Sequence, residues 1–268
     1  MIIAGCIAFL IIGLILGLIG GGGSILGVPV LVYIMGYNAD EATSYSLFIV
    51  GITSLIGAIS YLKKGDVSVE AILQFAIASL VTVFCVRKFM MPNIPPVINF
   101  SGIEISKQML IMLLFSVLIV ASSISMIKKK KYDRINEVKW DEFAKCPMGL
   151  PFIVLLGVTV GVITGFVGAG GGFIIVPVLI FFLRLNFKKA IGTSLCIVAL
   201  NSLIGFTGNI GHQKINWLML LAISSVCIAG ILLGSLLASK VSSQKLKPAF
   251  GWFTLAVGVF VLIKEIVL

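Results

Sequence analysis

Acidic side chains are scarce in this chain: ten Asp and Glu stand against twenty Lys and Arg in 268 residues. No charged residue falls in the middle of an apolar block. Carriers driven by protons or sodium usually hold a carboxylate at that depth, so its absence speaks against such coupling. The same scarcity disfavours a metal-cation permease, which wants carboxylates, thiols or imidazoles; only Cys196 lies close enough to the candidate site to matter. There is one histidine, His212, in the polar loop GNIGHQKIN. An intramembrane enzyme would need a base beside its nucleophile at depth, and none is available, so we expect no enzyme. The five cysteines (Cys6, Cys85, Cys146, Cys196, Cys227) show no C-x-x-C spacing. That excludes a disulfide framework and leaves no metal site. No phosphate-binding loop ending in Gly-Lys-Ser or Gly-Lys-Thr occurs either, so no nucleotide or other cofactor is expected.

What is abundant is apolar side chain: 59% of residues are hydrophobic, 11% are charged, and the mean hydropathy is +1.19. A soluble domain of this size cannot bury that much, so the bilayer must be the solvent for most of it. Runs such as 108–127 and 217–239 are apolar all round, as spans are. The net charge of +10 would suggest nucleic acid in a soluble protein. Here the basic residues lie between apolar segments and read as topology signals and lipid contacts, with no nucleic-acid partner. Ile3-Ala4-Gly5-Cys6 has the form of a lipoprotein cleavage box, but no basic stretch and almost no apolar run precede it. A cleaved signal is not expected, because the copy from 148 onward needs residues 1–20 as its counterpart.

That repeat is the main signal. Gly17–Gly57 recurs at Gly165–Gly205, 148 residues later and without a gap, with 18 of 41 pairs identical. Each copy carries a glycine cluster (Gly20 to Ser24, Gly168 to Gly172) and a proline at the same spacing (Pro29, Pro177). The apolar blocks are 2–19, 25–35, 43–62, 69–86 and 108–127, then 151–167, 173–183, 190–210, 217–239 and 249–267. The blocks 25–35 and 173–183 have 11 residues each, roughly 16 Å of helix. They are too short to cross a core of ~30 Å as straight helices, so they are either re-entrant halves or extend into the following loop.

Charge chooses between topologies. If each glycine-broken hairpin returns to its own side, 15 basic residues lie inside and five outside, the outer five being Arg87, Lys88, Lys107, Lys214 and Lys264. If each broken segment crosses, the split falls to 11 against nine. The positive-inside rule prefers the first. The expected architecture is an all-α, multi-pass bundle of two inverted repeats in the plasma membrane, each a glycine-broken hairpin plus three spans. The first repeat is 1–127, a basic cytoplasmic linker is 128–148, and the second repeat is 149–268. Residues 92–106 form an outer loop without a counterpart.

Paired interruptions in two halves of a membrane protein point to a transport site. Gly20, Pro29, Gly168 and Pro177 are the expected hinges. A helix starting near Ser24 or Gly172 would aim free N–H groups at an anion, so Gly22, Gly23, Ser24, Gly170, Gly171 and Gly172 are candidate substrate contacts. Ser46 and Ser194 match across the repeat, as do Ser54 and Ser202. Ser46, Thr193 and Ser194 can donate to an oxyanion without carrying charge, although hydroxyls often bond their own helix. Asn201, opposite Thr53, is either interhelical glue or a ligand contact. Asn38 and Asn186 match too and read as caps. Close helix packing is the alternative role for the glycines.

These motifs resemble a known family. The glycine clusters, the V-P-V-L at 28–31 and 176–179, A-x-G-T-S-L at 190–195, S-L-I-G at 54–57 and 202–205, and I-N-W at 215–217 are similar to the TauE/SafE membrane permeases. The resemblance covers about residues 8–265. It implies a duplicated helical permease for sulfite, organosulfonates or related sulfur anions. Gly230 and Gly234 follow the family in the second half; the aligned Thr82 and Val86, and the sequence SYSL, depart from it in the first. The expectation is export of a small sulfur oxyanion by alternating access. Another anion or solute, or a non-transporting assembly factor, remains an open alternative, and homo-oligomerisation is left open.

Overall fold

The structure, a computed structural model, describes residues 2–95, 97–100, 103–127, 149–183, 185, 187–209, 215–238 and 243–267. The linker 128–148 with Cys146 and Trp140, the loop with His212 and Lys214, and Arg184 and Asn186 lie outside these. The described chain is helical except for one antiparallel pair, β1 (Val97–Phe100) and β2 (Ile103–Ser106), with Val97 opposite Ser106. This pair occupies the proline-rich insertion that reads as loop in sequence. Among the described residues six helices are long and apolar enough to cross a membrane: Ile3–Ile34, Ala39–Lys63, Val69–Met90, Lys107–Ile124, Lys188–Thr207 and Trp217–Ala238.

The first of these is no straight rod. Helix α1 (Ile2–Ile19) ends at Gly20, whose φ of 79° is left-handed and open to glycine at little steric cost. The chain then doubles back as a 3-10 segment (Gly20–Leu26), a short α2 (Gly27–Pro29) and a π-helical turn (Val30–Ile34). The turn after Pro29 is closed by Met35 N donating to Val30 O at 3.1 Å. The return arm lies along α1: Gly23 packs on Ile15 and Leu16, and Gly5 on the Met35 side chain.

The second copy repeats the path. Helix α7 (Gly149–Val167) runs to a turn in which Gly168, Gly170 and Gly171 have φ of 69°, 69° and 70°. Helix α8 (Gly172–Phe181), with Pro177 inside it, returns until the Phe182 ring lies 5.6 Å from that of Phe152. Each hairpin thus starts and finishes at one level. An 18-residue α1 is about 27 Å long, nearly the ~30 Å of a hydrocarbon core. The return arms are therefore not half-depth segments. They are lengthened from the glycine side, the first by its 3-10 stretch.

Helix α3 (Ala39–Lys63) and helix α9 (Phe187–Thr207) are matched by the repeat and pack against each other at the centre. Gly51 meets Leu203, the Phe48 and Phe206 rings are 5.0 Å apart, and Asn209 Nδ2 donates to Ser44 Oγ at 2.8 Å. Numbers rise on one helix as they fall on the other, so the pair is antiparallel. Asn38 precedes α3 at its N-cap but makes no side-chain cap bond. Helix α6 (Lys107–Ile127) and α11 (Ser243–Val267) are antiparallel too, with Ser123 Oγ donating to Thr254 Oγ1 at 2.8 Å and Gly258 against Ile119.

Two parallel pairs complete the bundle. Helix α1 packs on α10 (Trp217–Ala238) through Gly13 and Gly17, against Cys227, Ile231 and Ser235. The third span is α4 (Val69–Ala71), a π turn (Ile72–Ala76), α5 (Ile77–Cys85) and a second π turn (Val86–Met90). It packs on α7 through Gly157, Gly161 and Gly165, against Phe75, Ser79, Thr82 and Val86. Shifted by the repeat of 148, these are the same contacts. The last turn corrects one expectation: the third span runs to Met90, so Arg87 lies within it, not after it.

Candidate functional site

The two return arms cross at Gly21 and Gly172. A Cβ on Gly21 would stand 2.8 Å from Gly172 Cα and 2.8 Å from a Val198 methyl, and one on Gly172 would strike the Gly21 carbonyl. Only glycine permits main chain to touch main chain here. Val198 lies near the middle of α9, so the crossing sits at mid-bundle. Gly21 N donates to Ser194 Oγ at 3.3 Å, a bond between the repeats. Immediately beyond, a Cβ on Gly170 would lie 2.6 Å from Ser202 Oγ and 3.2 Å from Val50, and one on Gly27 would lie 2.6 Å from Ser46 Oγ. The cluster therefore draws on both glycine turns, α3 and α9.

The expected contacts divide between this cluster and its surroundings. Gly170, Gly172, Ser46 and Ser194 gather at the crossing, around Gly21, which was not among the expected contacts. Gly171 packs against Thr164, and Gly22 and Gly23 are buried in the 3-10 segment, Gly23 facing α1. The Ser24 hydroxyl is committed to Gly21 O at 2.7 Å. Ser194 Oγ donates to Ile191 O at 2.8 Å. Thr193 Oγ1 accepts from Ser68 N at 3.0 Å, tying the loop before α4 to α9. Asn201 faces α5, where its Oδ1 accepts from Ser79 Oγ at 3.0 Å.

Several buried polar atoms have no protein partner: Ser46 Oγ, Ser202 Oγ and Thr164 Oγ1, which abut Gly27, Gly170 and Gly171, and Ser54 Oγ and Asn201 Nδ2 elsewhere on α3 and α9. A buried polar group without a hydrogen bond is costly, and native chains rarely keep several close together unless water or a ligand meets them. Ser54 and Ser202 are identical across the repeat, and that identity is the signal by which sequence could have ranked them. Thr164 carries no such mark.

The turns differ in how they restart. At Gly172 a new helix begins: Gly171 is left-handed, and both Ile174 N and Ile175 N donate to its carbonyl at 3.0 Å. In the first copy the 3-10 segment runs on into α2, with Gly27 N donating to Ser24 O, so no fresh helix start stands at Ser24. The free N–H groups of a helix end are available in one arm only.

The charge count sets Arg87 among the outer basic residues, beyond a span that ends at 86. It is 1% exposed, the largest fully buried side chain described. Its Nη1 donates to Thr43 Oγ1 at 3.1 Å, while Nε and Nη2 have no partner. Nη2 rests against Gly168, where a side chain would collide with it. Nothing in the sequence marks it, because an Arg-Lys pair at the end of an apolar run looks like any topology signal.

A family model described as "Sulfite exporter TauE/SafE" matches residues 5–261. The chain belongs to the TauE/SafE family. A "Probable membrane transporter protein" of Xylella fastidiosa (strain Temecula1) is 31% identical over 255 residues, covering 94% of this chain and 91% of that protein. The "Probable membrane transporter protein YunE" of Bacillus subtilis (strain 168) is 24% identical over 263 residues, covering 89% and 90%. No solved structure matches the chain. With six candidate spans and this membership, the chain is a multi-pass membrane permease.

Proposed function

We propose that this TauE/SafE permease exports a small sulfur oxyanion, sulfite or an organosulfonate, across the cell membrane by alternating access. Two inverted repeats, 1–127 and 149–268, joined by a cytoplasmic linker, would rock about Gly20, Pro29, Gly168 and Pro177. Antiparallel packing of α3 and α9 supports the inversion. So does charge: Lys63, Lys64, Lys188 and Lys189 gather at the end where Gly192 meets Asp66, which the positive-inside rule makes cytoplasmic.

One observation carries the reading: the unpartnered hydroxyls of Ser46, Ser202 and Thr164 abut the glycine arms that meet in a main-chain crossing at mid-bundle. Hydroxyl, amide and peptide donors stabilise an oxyanion, and no carboxylate stands among them to repel it. An inside-negative potential favours anion exit by about 2.3 kcal/mol per unit charge per 100 mV, so export needs no coupling carboxylate. Gly22, Gly23, Ser24, Ser46, Gly170, Gly171, Gly172, Thr193, Ser194 and Asn201 remain the proposed contacts, with Ser54, Ser202 and Thr164 added.

The test is flux of radiolabelled sulfite from proteoliposomes. Gly170→Leu and Gly22→Leu should each abolish it in protein that still runs as a single species on gel filtration. Wild-type flux in either folded variant sinks the site, and no flux of any sulfur anion by the wild-type protein sinks the substrate class.

A further inference from the structure

We infer that Arg87 is a second anion contact, a guanidinium grip at the Gly168 end of the pathway, specific for oxyanions that present two oxygens side by side. This rests on the anion-permease reading above. A cation buried without a counter-ion is strongly destabilising unless something compensates it. Among the described residues Arg87 forms no ion pair. Asp40, one turn from Thr43 in α3, is engaged by Lys107 at 3.2 Å. One guanidinium nitrogen is held: Thr43 Oγ1 gives its own proton to Asp40 O at 3.0 Å and so offers Arg87 Nη1 a lone pair.

The two nitrogens left over, Nε and Nη2, lie on one edge of the guanidinium plane. That edge presents two parallel N–H bonds, the arrangement that takes two oxygens of a single carboxylate, sulfonate or sulfite. A halide has no second atom for it. The surroundings keep the edge in place. Arg87 lies in the π turn Val86–Met90, a helix irregularity that recurs at functional sites. Gly208 packs on its Cβ, and Gly168, for want of a side chain, makes room for the buried Nη2 beside the main chain. The grip exists at one end only, because the repeat places Ser235 at the matching position, where Oγ donates to Leu232 O at 2.9 Å. An anion at Arg87 stands beside the Gly168 turn, and Gly170, two residues on, touches Ser202 at the crossing. The hand-over between the two sites is short.

The experiment is thermal stabilisation of the purified full-length protein, titrated with sulfite, taurine and chloride, followed by sulfite flux. Wild type should respond to sulfite and taurine more strongly than to chloride. Arg87→Gln should raise the sulfite midpoint by about 10-fold or more and remove the preference over chloride. Arg87→Lys keeps the charge but not the paired donors, and should give a rise of about 3-fold. Should Arg87→Gln fail to fold, Thr43→Val carries the test: it frees Nη1 while keeping the cation, and should raise the midpoint by about 3-fold. Variants that melt lower yet keep the wild-type midpoint and oxyanion preference overturn the proposal, leaving Arg87 a purely structural cation. A wild-type protein indifferent to every anion overturns the anion-permease reading together with this one.

Discussion

The turn at Gly20 and the turn at Gly168 stand at matched places in the repeat, with φ of 79° and 69°, yet different chemistry is packed against them. Gly20 abuts Ile191, whose methyl would lie 2.8 Å from an added Cβ. Gly168 abuts Thr43, the repeat partner of Ile191, and the Arg87 guanidinium. The helices behind the turns differ as well. Behind Gly20, α1 and α10 interlock glycine on glycine, Gly13 and Gly17 against Gly230 and Gly234. Behind Gly168, the same positions of the third span hold Thr82 and Val86; Gly161 packs on the Ser79 main chain and the Thr82 side chain, and Gly165 on the Val86 side chain alone. Duplication preserved the route of the backbone, while the residues lining each turn diverged. One end is closed by rigid apolar packing; the other keeps looser helices and a buried cation.

The packing difference should give the largest effect. An alanine at Gly17 meets backbone on every side, Ile231 O at 2.5 Å and Ser235 N at 2.6 Å, whereas at Gly165 it meets the Val86 side chain at 2.8 Å. Gly17→Ala should cost about 3 kcal/mol and Gly165→Ala about 1 kcal/mol, read from thermal unfolding in detergent. Equal losses would mean that the two helix pairs are equally tight. Exchanging the residues at the turns comes next. Thr43→Ile removes the acceptor of Arg87 Nη1 and should cost about 2 kcal/mol. The reciprocal Ile191→Thr strands no charge, can bond its own helix, and should cost about 1 kcal/mol.

Smaller again are Ser54→Ala and Ser202→Ala. Neither breaks a protein hydrogen bond, so melting without anion should hold or rise slightly. Stabilisation by sulfite should fall by about 1 kcal/mol in each. A large loss of stability in the absence of anion would show that these hydroxyls are satisfied within the protein. Smallest is Asp40→Asn. Asp40 is 42% exposed in its pair with Lys107, and the repeat puts Lys188 in its place. The pair should contribute less than about 1 kcal/mol, an amount that salt screens out in melting curves at low and high ionic strength.

The helices were legible because apolar runs and the 148-residue repeat report directly on lipid burial, which no tertiary detail overrides. The boundaries moved where polar residues join a helix: α3 begins at Ala39 and not at 43, because Asp40 and Glu41 suit a first turn. The glycine breaks were legible as breaks. Their form was not, since a run of four glycines and a serine permits a left-handed turn, a 3-10 helix or both. Arg87 falls beyond the span in sequence because a window along the chain ends an apolar block at its first charge, and only the structure shows that the helix continues past it. The β-hairpin was hidden behind three prolines.

The contact of Gly21 with Gly172 has a kinetic consequence. A plug made of side chains can open by a rotamer change within nanoseconds. Peptide resting on peptide has no rotamer to change, so in a permease whose pathway runs through this crossing, whole segments must slide apart before anything passes. Turnover would then follow the slow clock of rigid-body displacement, on the order of microseconds to milliseconds, and would respond to bilayer stiffness and temperature more steeply than to the size of the solute.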